Sequence, residues 1–130
     1  MSKMSDYLEK KLLDHVLTNA PYTPPASVYL ALFISVPTDA GTGTEVTGGD
    51  YARQKITFGT ATSPSGTSKN IAAINFPVAT ANWGTVTHVG IYDAATAGNL
   101  LFHGALNTPR TINIDNQLCI LAEELVVILD

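Results

Sequence analysis

A chain of 130 residues with a formal net charge of -4 and only 7 lysines and arginines lacks the clustered positive charge that a phosphate backbone requires, which excludes a nucleic-acid groove. Charged residues make up 14% of the chain against the roughly 25% usual in soluble domains, so the surface is polar but weakly charged and suited to contact with partners. The length fits one domain over residues 1–130 that buries roughly two-thirds of its unfolded surface, and a lone cysteine excludes an internal disulfide.

Met1 to Lys11 carries Lys3, Asp6, Glu9, Lys10 and Lys11 without an apolar core, unlike a secretory signal. From Asp6 onward the pattern is helical. Ser5 or Asp6 can cap the start, Glu9 completes a capping box, and Met4, Leu8, Leu12, Leu13, Val16 and Leu17 recur at helical spacing, so a helix is predicted over residues 5–18. Asn19 and Pro21 end it. With about three turns, such a helix needs tertiary packing, and it is expected to plug one end of a β core over residues 27–129.

Pro21 to Pro25 reads as a stiff connector, and Ser27 to Ile34, apolar on both faces, as a central strand. Pro37 to Asp50, with its glycines and with Asp39, Glu45 and Asp50, has no periodicity and is predicted to be an exposed loop of solvated acids. Tyr51 to Phe58 resumes strand character with Arg53 beside Tyr51, Ser63 to Ser68 reads as a turn, and Asn70 to Phe76 as a further strand.

The stretch Trp83 to Leu106 predicts a long hairpin. Val86, Thr87, Val89, Ile91 and Tyr92 suit a pleated surface, Asp93 to Asn99 is rich in turn formers, and Leu100 to Leu106 answers the first arm. Alternation sends Val89 and Ile91 to one face and His88, Gly90 and Tyr92 to the other. Neither face is strongly polar, so both must be covered. Gly90 and Gly104 mark places where a neighbour approaches closely. Pro109 and Arg110 precede a short strand with Ile112 and Ile114, followed by strands at Leu118 to Ala122 and Leu125 to Leu129. Both Val28 to Val36 and the last run fall far short of the roughly 20 apolar residues of a membrane helix. Strand runs about every ten residues, with no helices between them, predict a mainly β fold: an antiparallel β-sandwich or jelly-roll-like domain of seven or eight strands with one N-terminal α-helix.

Catalytic constellations are missing. The sequence has no Gly-x-Ser-x-Gly elbow, no phosphate loop and no His-Glu-x-x-His helix. His88 and His103, on facing arms, lack the third protein ligand of a catalytic metal and read as sheet-face or subunit contacts. Cys119 lies in an apolar strand and reads as a small core residue. Trp83 and Tyr92 offer a sugar-stacking platform on one reading and core or interface on the other. No cofactor is implied.

Asp6-Tyr-Leu-Glu-Lys-Lys-Leu-Leu-Asp-His-Val-Leu17, Val28-Tyr-Leu-Ala-Leu32, Pro37-Thr-Asp-Ala-Gly-Thr-Gly-Thr-Glu-Val46, Gly48-Gly-Asp-Tyr-Ala-Arg53 and the whole Trp83 to Leu106 hairpin together resemble a family of small tailed-bacteriophage virion proteins, usually described as tail fibre or minor tail proteins. The resemblance runs from Asp6 to Asp130 and departs from the family's pattern at Asn116-Gln117 and Glu123-Glu124. Gly90-Ile-Tyr-Asp93 and Asn99-Leu-Leu-Phe102 also look like the N-terminal attachment domains of longer fibres. The resemblance implies a non-enzymatic structural protein made in the host bacterial cytoplasm and carried in the virion. Its partners would be copies of itself and other tail, baseplate or capsid proteins, with neither nucleic acid nor membrane among them. A capsid-decorating cement protein and a host-surface carbohydrate-binding module are the alternatives. The residues expected at structural positions or interfaces are Tyr51, Arg53, Trp83, His88, Gly90, Tyr92, Phe102, His103 and Gly104.

Overall fold

A computed structural model describes residues 2–129, so Met1 and Asp130, the ends of the expected 1–130 span, lie outside the described residues. The order is β1 (Ser2–Met4), α1 (Asp6–Leu17), β2 (Val28–Phe33), β3 (Gln54–Ile56), β4 (Thr67–Lys69), β5 (Ile74–Asn75), β6 (Gly84–Tyr92), β7 (Leu100–Ile112), β8 (Cys119–Ile120) and β9 (Val126–Ile128). The fold is mainly β, and every strand pair is antiparallel.

The hairpin of β6 and β7 is the centre of a five-stranded sheet in the order β1-β7-β6-β2-β3. Pairing of Leu30 with Ile91 and of Ile91 with Phe102, and of Leu32 with Val89, aligns apolar side chains on one face. That face forms the main core with Val86 and Ile112 of the same sheet and with Phe76, Leu118 and Val127, which lie in or beside the strands of the second layer. The second layer is not one sheet but two ribbons, β4 with β9 and β5 with β8. The opposite face carries a smaller cluster, Ala31, Phe33, Tyr92 and Leu100. Both faces of the hairpin are thus covered, as its composition requires.

Several sequence expectations are corrected. Met4, expected on the helix, lies in β1, paired with Phe102 of β7. The helix begins at Asp6 because the Ser5 side chain accepts from the Leu8 N–H while its hydroxyl donates to the Leu100 carbonyl. It buries Leu8 alone, leaving Leu13, Val16 and Leu17 at 59%, 72% and 73% exposure, so it docks by its first turn and does not plug the core. Pro109, Arg110 and Ile112 belong to β7 and not to a separate strand, because Val86 and Gly84 of β6 pair with Arg110 and Ile112. The expected turn at Ser63 to Ser68 is a turn over residues 63–66, and only its last two residues enter β4, which finds its partner far away in β9. Cys119 is exposed, since its neighbours Leu118 and Ile120 take the positions that pack on the main core.

Gly90 sits where β2, β6 and β7 meet. A β-carbon there would stand 2.9 Å from both Leu100 Cδ1 and Phe33 Cε1, and Phe33 cannot yield, being stacked on Tyr92 with ring centroids 6.3 Å apart and itself buried. Gly90→Val is therefore expected to cost about 1–3 kcal/mol by overpacking, read as a fall in Tm of several degrees in a thermal melt. An unchanged Tm would refute the close approach.

Candidate functional site

Side chains and carbonyls from the 37–50 loop, from the segment just before β3 and from the hairpin converge on Arg53. Its Nε donates to Glu45 Oε2 at 2.9 Å and its Nη2 to Glu45 Oε1 at 2.9 Å, a two-point ion pair. Its Nη1 donates to the carbonyls of Ala94 at 3.1 Å and Ala97 at 2.7 Å, in the β6–β7 turn. The guanidinium carbon lies 3.7 Å from the centroid of the Tyr92 ring, a cation–π stack. Tyr51 completes the group: its hydroxyl donates to Glu45 Oε2 at 2.6 Å and accepts from the Leu32 N–H at 3.0 Å.

Three chain segments remote in sequence are joined here. Glu45 comes from the Pro37 to Asp50 loop, which folds back on β2: Phe33 bridges to Glu45, and the Val46 N–H donates to the Leu32 carbonyl. The loop acids are therefore not all solvated, as composition suggested. Glu45 is held by Arg53 and Tyr51, and Asp39 Oδ1 lies 2.7 Å from Nε2 of the buried His103. The turn itself is pinned by Asp93, whose carboxylate accepts from the Asn99 backbone and side-chain N–H groups.

Burial and the hydrogen bond to Glu45 push the Tyr51 phenol far above its ordinary value. Burial also raises Tyr92, against the opposing pull of Arg53. Burial alone would lower Arg53, but its hydrogen bonds and charge contact with Glu45 raise it. The guanidinium thus stays charged. The arrangement holds charge by pairing it and leaves no free nucleophile beside a base, and among the described residues no group of three or more His, Cys, Asp and Glu side chains can hold a metal ion.

Next to this network stands an aromatic cluster. Trp83 meets Tyr51 edge to face at 5.5 Å and Phe76 at 6.4 Å, while Tyr51 stacks on Phe76 at 6.2 Å. Its Nε1 donates to the Gly49 carbonyl at 3.0 Å, and Gly49, at φ +58°, admits no β-carbon because one would sit 2.7 Å from that nitrogen. Trp83 and Tyr92 are buried at 5% and 8% exposure, which leaves neither ring a face on which a sugar can stack. The two hairpin histidines take separate partners, His103 with Asp39 and His88 Nδ1 with the Thr87 hydroxyl at 2.8 Å. Phe102 packs on the main core, and Gly104 pairs with Val89 and Ser2 on the border of an open groove.

The sequence read Glu45 only as a solvated loop acid and gave Asn70 no role beyond opening a strand. Asn70 is fully buried and carries its own small network: its amide donates to the Ala72 and Leu121 carbonyls and its oxygen accepts from the Leu125 N–H. A polar residue opening an apolar run was the only available signal.

A family model described as podophage GP4 fiber I protein gp80 matches residues 3–128, which spans nearly every element of the fold. The chain belongs to this family of podophage fibre proteins. No curated protein matches it.

Two outcomes are expected of the Arg53 network. Arg53→Ala leaves Glu45 half-buried without its partner, at 24% side-chain exposure, and should cost about 3–5 kcal/mol; Arg53→Lys should recover only part, because an ammonium lacks the two-point fork. Urea unfolding reads both, and an Arg53→Ala chain as stable as the parent would refute the role of the pair. Since the raised phenols keep their protons in the folded chain where an unfolded tyrosine loses them, near pH 10, the folded state binds more protons there. Stability is then complete below about pH 10 and falls as pH rises above it, and Tyr51→Phe should flatten that decline in alkaline unfolding curves.

Proposed function

We propose that this member of a podophage fibre family is a non-enzymatic structural component of the tail, a fibre-attachment protein that binds copies of itself and other virion proteins. The observation that carries the reading is the family match over residues 3–128, which covers the β layers and the helix together. The geometry supports it in two ways. The charged side chains at the centre of the fold are paired with one another and fix the hairpin turn, as suits a rigid subunit. Apolar side chains stand out from the surface at Leu13, Val16 and Leu17 of α1 and at Ile71 and Leu121 of the second layer, and a chain with few charges has little to keep such surfaces apart from partners.

The fibre reading is preferred to a capsid-decorating one because the matched family is a fibre family, and to a glycan-binding one because Trp83 and Tyr92 are enclosed. The protein is expected to form a symmetric dimer or trimer through an end or edge of the β layers. A map of the particle should place it on the tail, and sedimentation velocity at micromolar concentration should give more than a monomer. Density on the capsid lattice would overturn the tail assignment, and a monomer in solution that touches no copy of itself on the particle would overturn the self-association. Binding on a glycan array would revive the carbohydrate reading.

A further inference from the structure

β1 and α1 form an arm that is closed at both ends on its own groups and docks on the rest of the chain by its first half. Ser5 joins the two elements and caps the helix through the Leu8 N–H. At the far end the Thr18 and Ala20 N–H groups both donate to the Asp14 carbonyl at 3.1 Å, and His15 Nδ1 lies 2.9 Å from the Ala20 carbonyl oxygen. Docking uses the β1–β7 pairing, the Ser5 N–H and hydroxyl on the Leu101 and Leu100 carbonyls, the Asp6 N–H on the Asp39 carbonyl at 3.0 Å, and the buried Leu8. Beyond Leu8 the helix buries no residue. Its Leu13, Val16 and Leu17 stand at i, i+3 and i+4 as an apolar stripe in solvent. The connector that follows adds nothing to the docking. Pro21, Thr23, Pro24 and Ala26 are exposed, and among the described residues no backbone hydrogen bond ties 21–27 to the β layers.

We propose that copies of this chain exchange the arm: β1 and α1 of one copy dock on β7 of its neighbour through these same contacts, and the Leu13, Val16 and Leu17 stripes of the exchanged arms meet at the symmetry axis. The inference rests on the self-association in the reading above and names the element that carries it. Exchange costs little, because every contact between arm and body is kept and only the connector changes its course. Pro21, Pro24 and Pro25 suit the connector to that role. Each fixes φ and lacks an N–H, so the segment stays extended and does not pair with a strand. At about 3.3 Å per extended residue, residues 21–27 reach roughly 23 Å, enough to pass between two copies in contact.

A second copy is the occupant because the stripe lies immediately before the connector. When copies exchange arms, their connectors run past one another at the axis, which brings the last turns of the helices together so that each covers the other's stripe. A helix of this length, docked by one turn, needs such cover. The flanking charges do not oppose contact between like surfaces, since Lys10 and Asp14 neutralise one another at 2.6 Å and the Lys11 ammonium lies 5.8 Å from the centroid of the Tyr7 ring. The receiving site, β7 with the Asp39 carbonyl, fits this arm and is present in every copy.

Isotope-filtered NMR on labelled and unlabelled full-length chains, unfolded and refolded together, tests the exchange. Met4 and Phe102, partners in the β1–β7 register, should show a contact between a labelled and an unlabelled chain. Leu17→Lys, at a position 73% exposed in the isolated chain, places like charges at the axis and should raise the dissociation constant at least tenfold in sedimentation equilibrium while the chain stays folded. A contact of Met4 with Phe102 confined to single chains of an oligomer overturns the exchange and leaves self-association to another surface. A folded Leu17→Lys chain with an unchanged dissociation constant overturns the meeting of the stripes. A strict monomer at the concentration of the NMR sample also overturns the exchange. Absence of the chain from the tail in a map of the particle overturns the tail assignment without bearing on the arm.

Discussion

The ion pair between Glu45 and Arg53 is the constraint on which the arrangement of the hairpin depends. Arg53 donates to two separate pieces of chain, the loop that returns to β2 and the β6–β7 turn, and stacks its flat face on the Tyr92 ring. With a side-chain exposure of 9%, the guanidinium would be costly to bury alone, and removing any one partner leaves charge or carbonyl groups without compensation. Tyr51 extends the same network into the aromatic cluster, since one side of its ring meets Phe76 and Trp83 while its hydroxyl serves Glu45 and β2. Polar pairing and apolar packing therefore fix the same hairpin from two directions.

A second consequence follows from the inequality of the two layers. Five strands form one continuous sheet, while the facing layer is divided into ribbons of two strands each. Short ribbons cover the centre of the large sheet well, as the buried Leu30, Leu32 and Val86 indicate, and β9 reaches as far as β1, where the Ile128 N–H donates to Ser2 Oγ. Charge pairing and aromatic packing are concentrated around Arg53 and Trp83, where the loop, β2 and the hairpin meet.

The sequence was informative wherever a side-chain period or a capping pattern acts over a few residues. The capping signal, Ser5 or Asp6 with Glu9 three residues after Asp6, marked the helix start, and alternation through Val89, Gly90, Ile91 and Tyr92 assigned those residues to their two faces before any partner strand was known. It was misleading where a distant partner decided the outcome. Met4 carried a helical spacing but pairs with Phe102, Pro109 looked like a boundary yet lies inside β7, and Cys119 sat in an apolar run whose other side turned out to be solvent.

What the sequence by itself determined is the mainly β character, the N-terminal helix, the central hairpin and the absence of familiar catalytic motifs, because each rests on local preferences or on the presence of particular residue types. What only the tertiary structure decided is which strand edges are satisfied and where the charges go. Glu45 and Asp39 read as solvated loop acids until the loop folds back to bring them to Arg53 and His103. Pairing between residues separated by tens of positions leaves no periodic trace in the chain, since any residue of suitable charge or shape satisfies it, and only the closed three-dimensional path selects the partner.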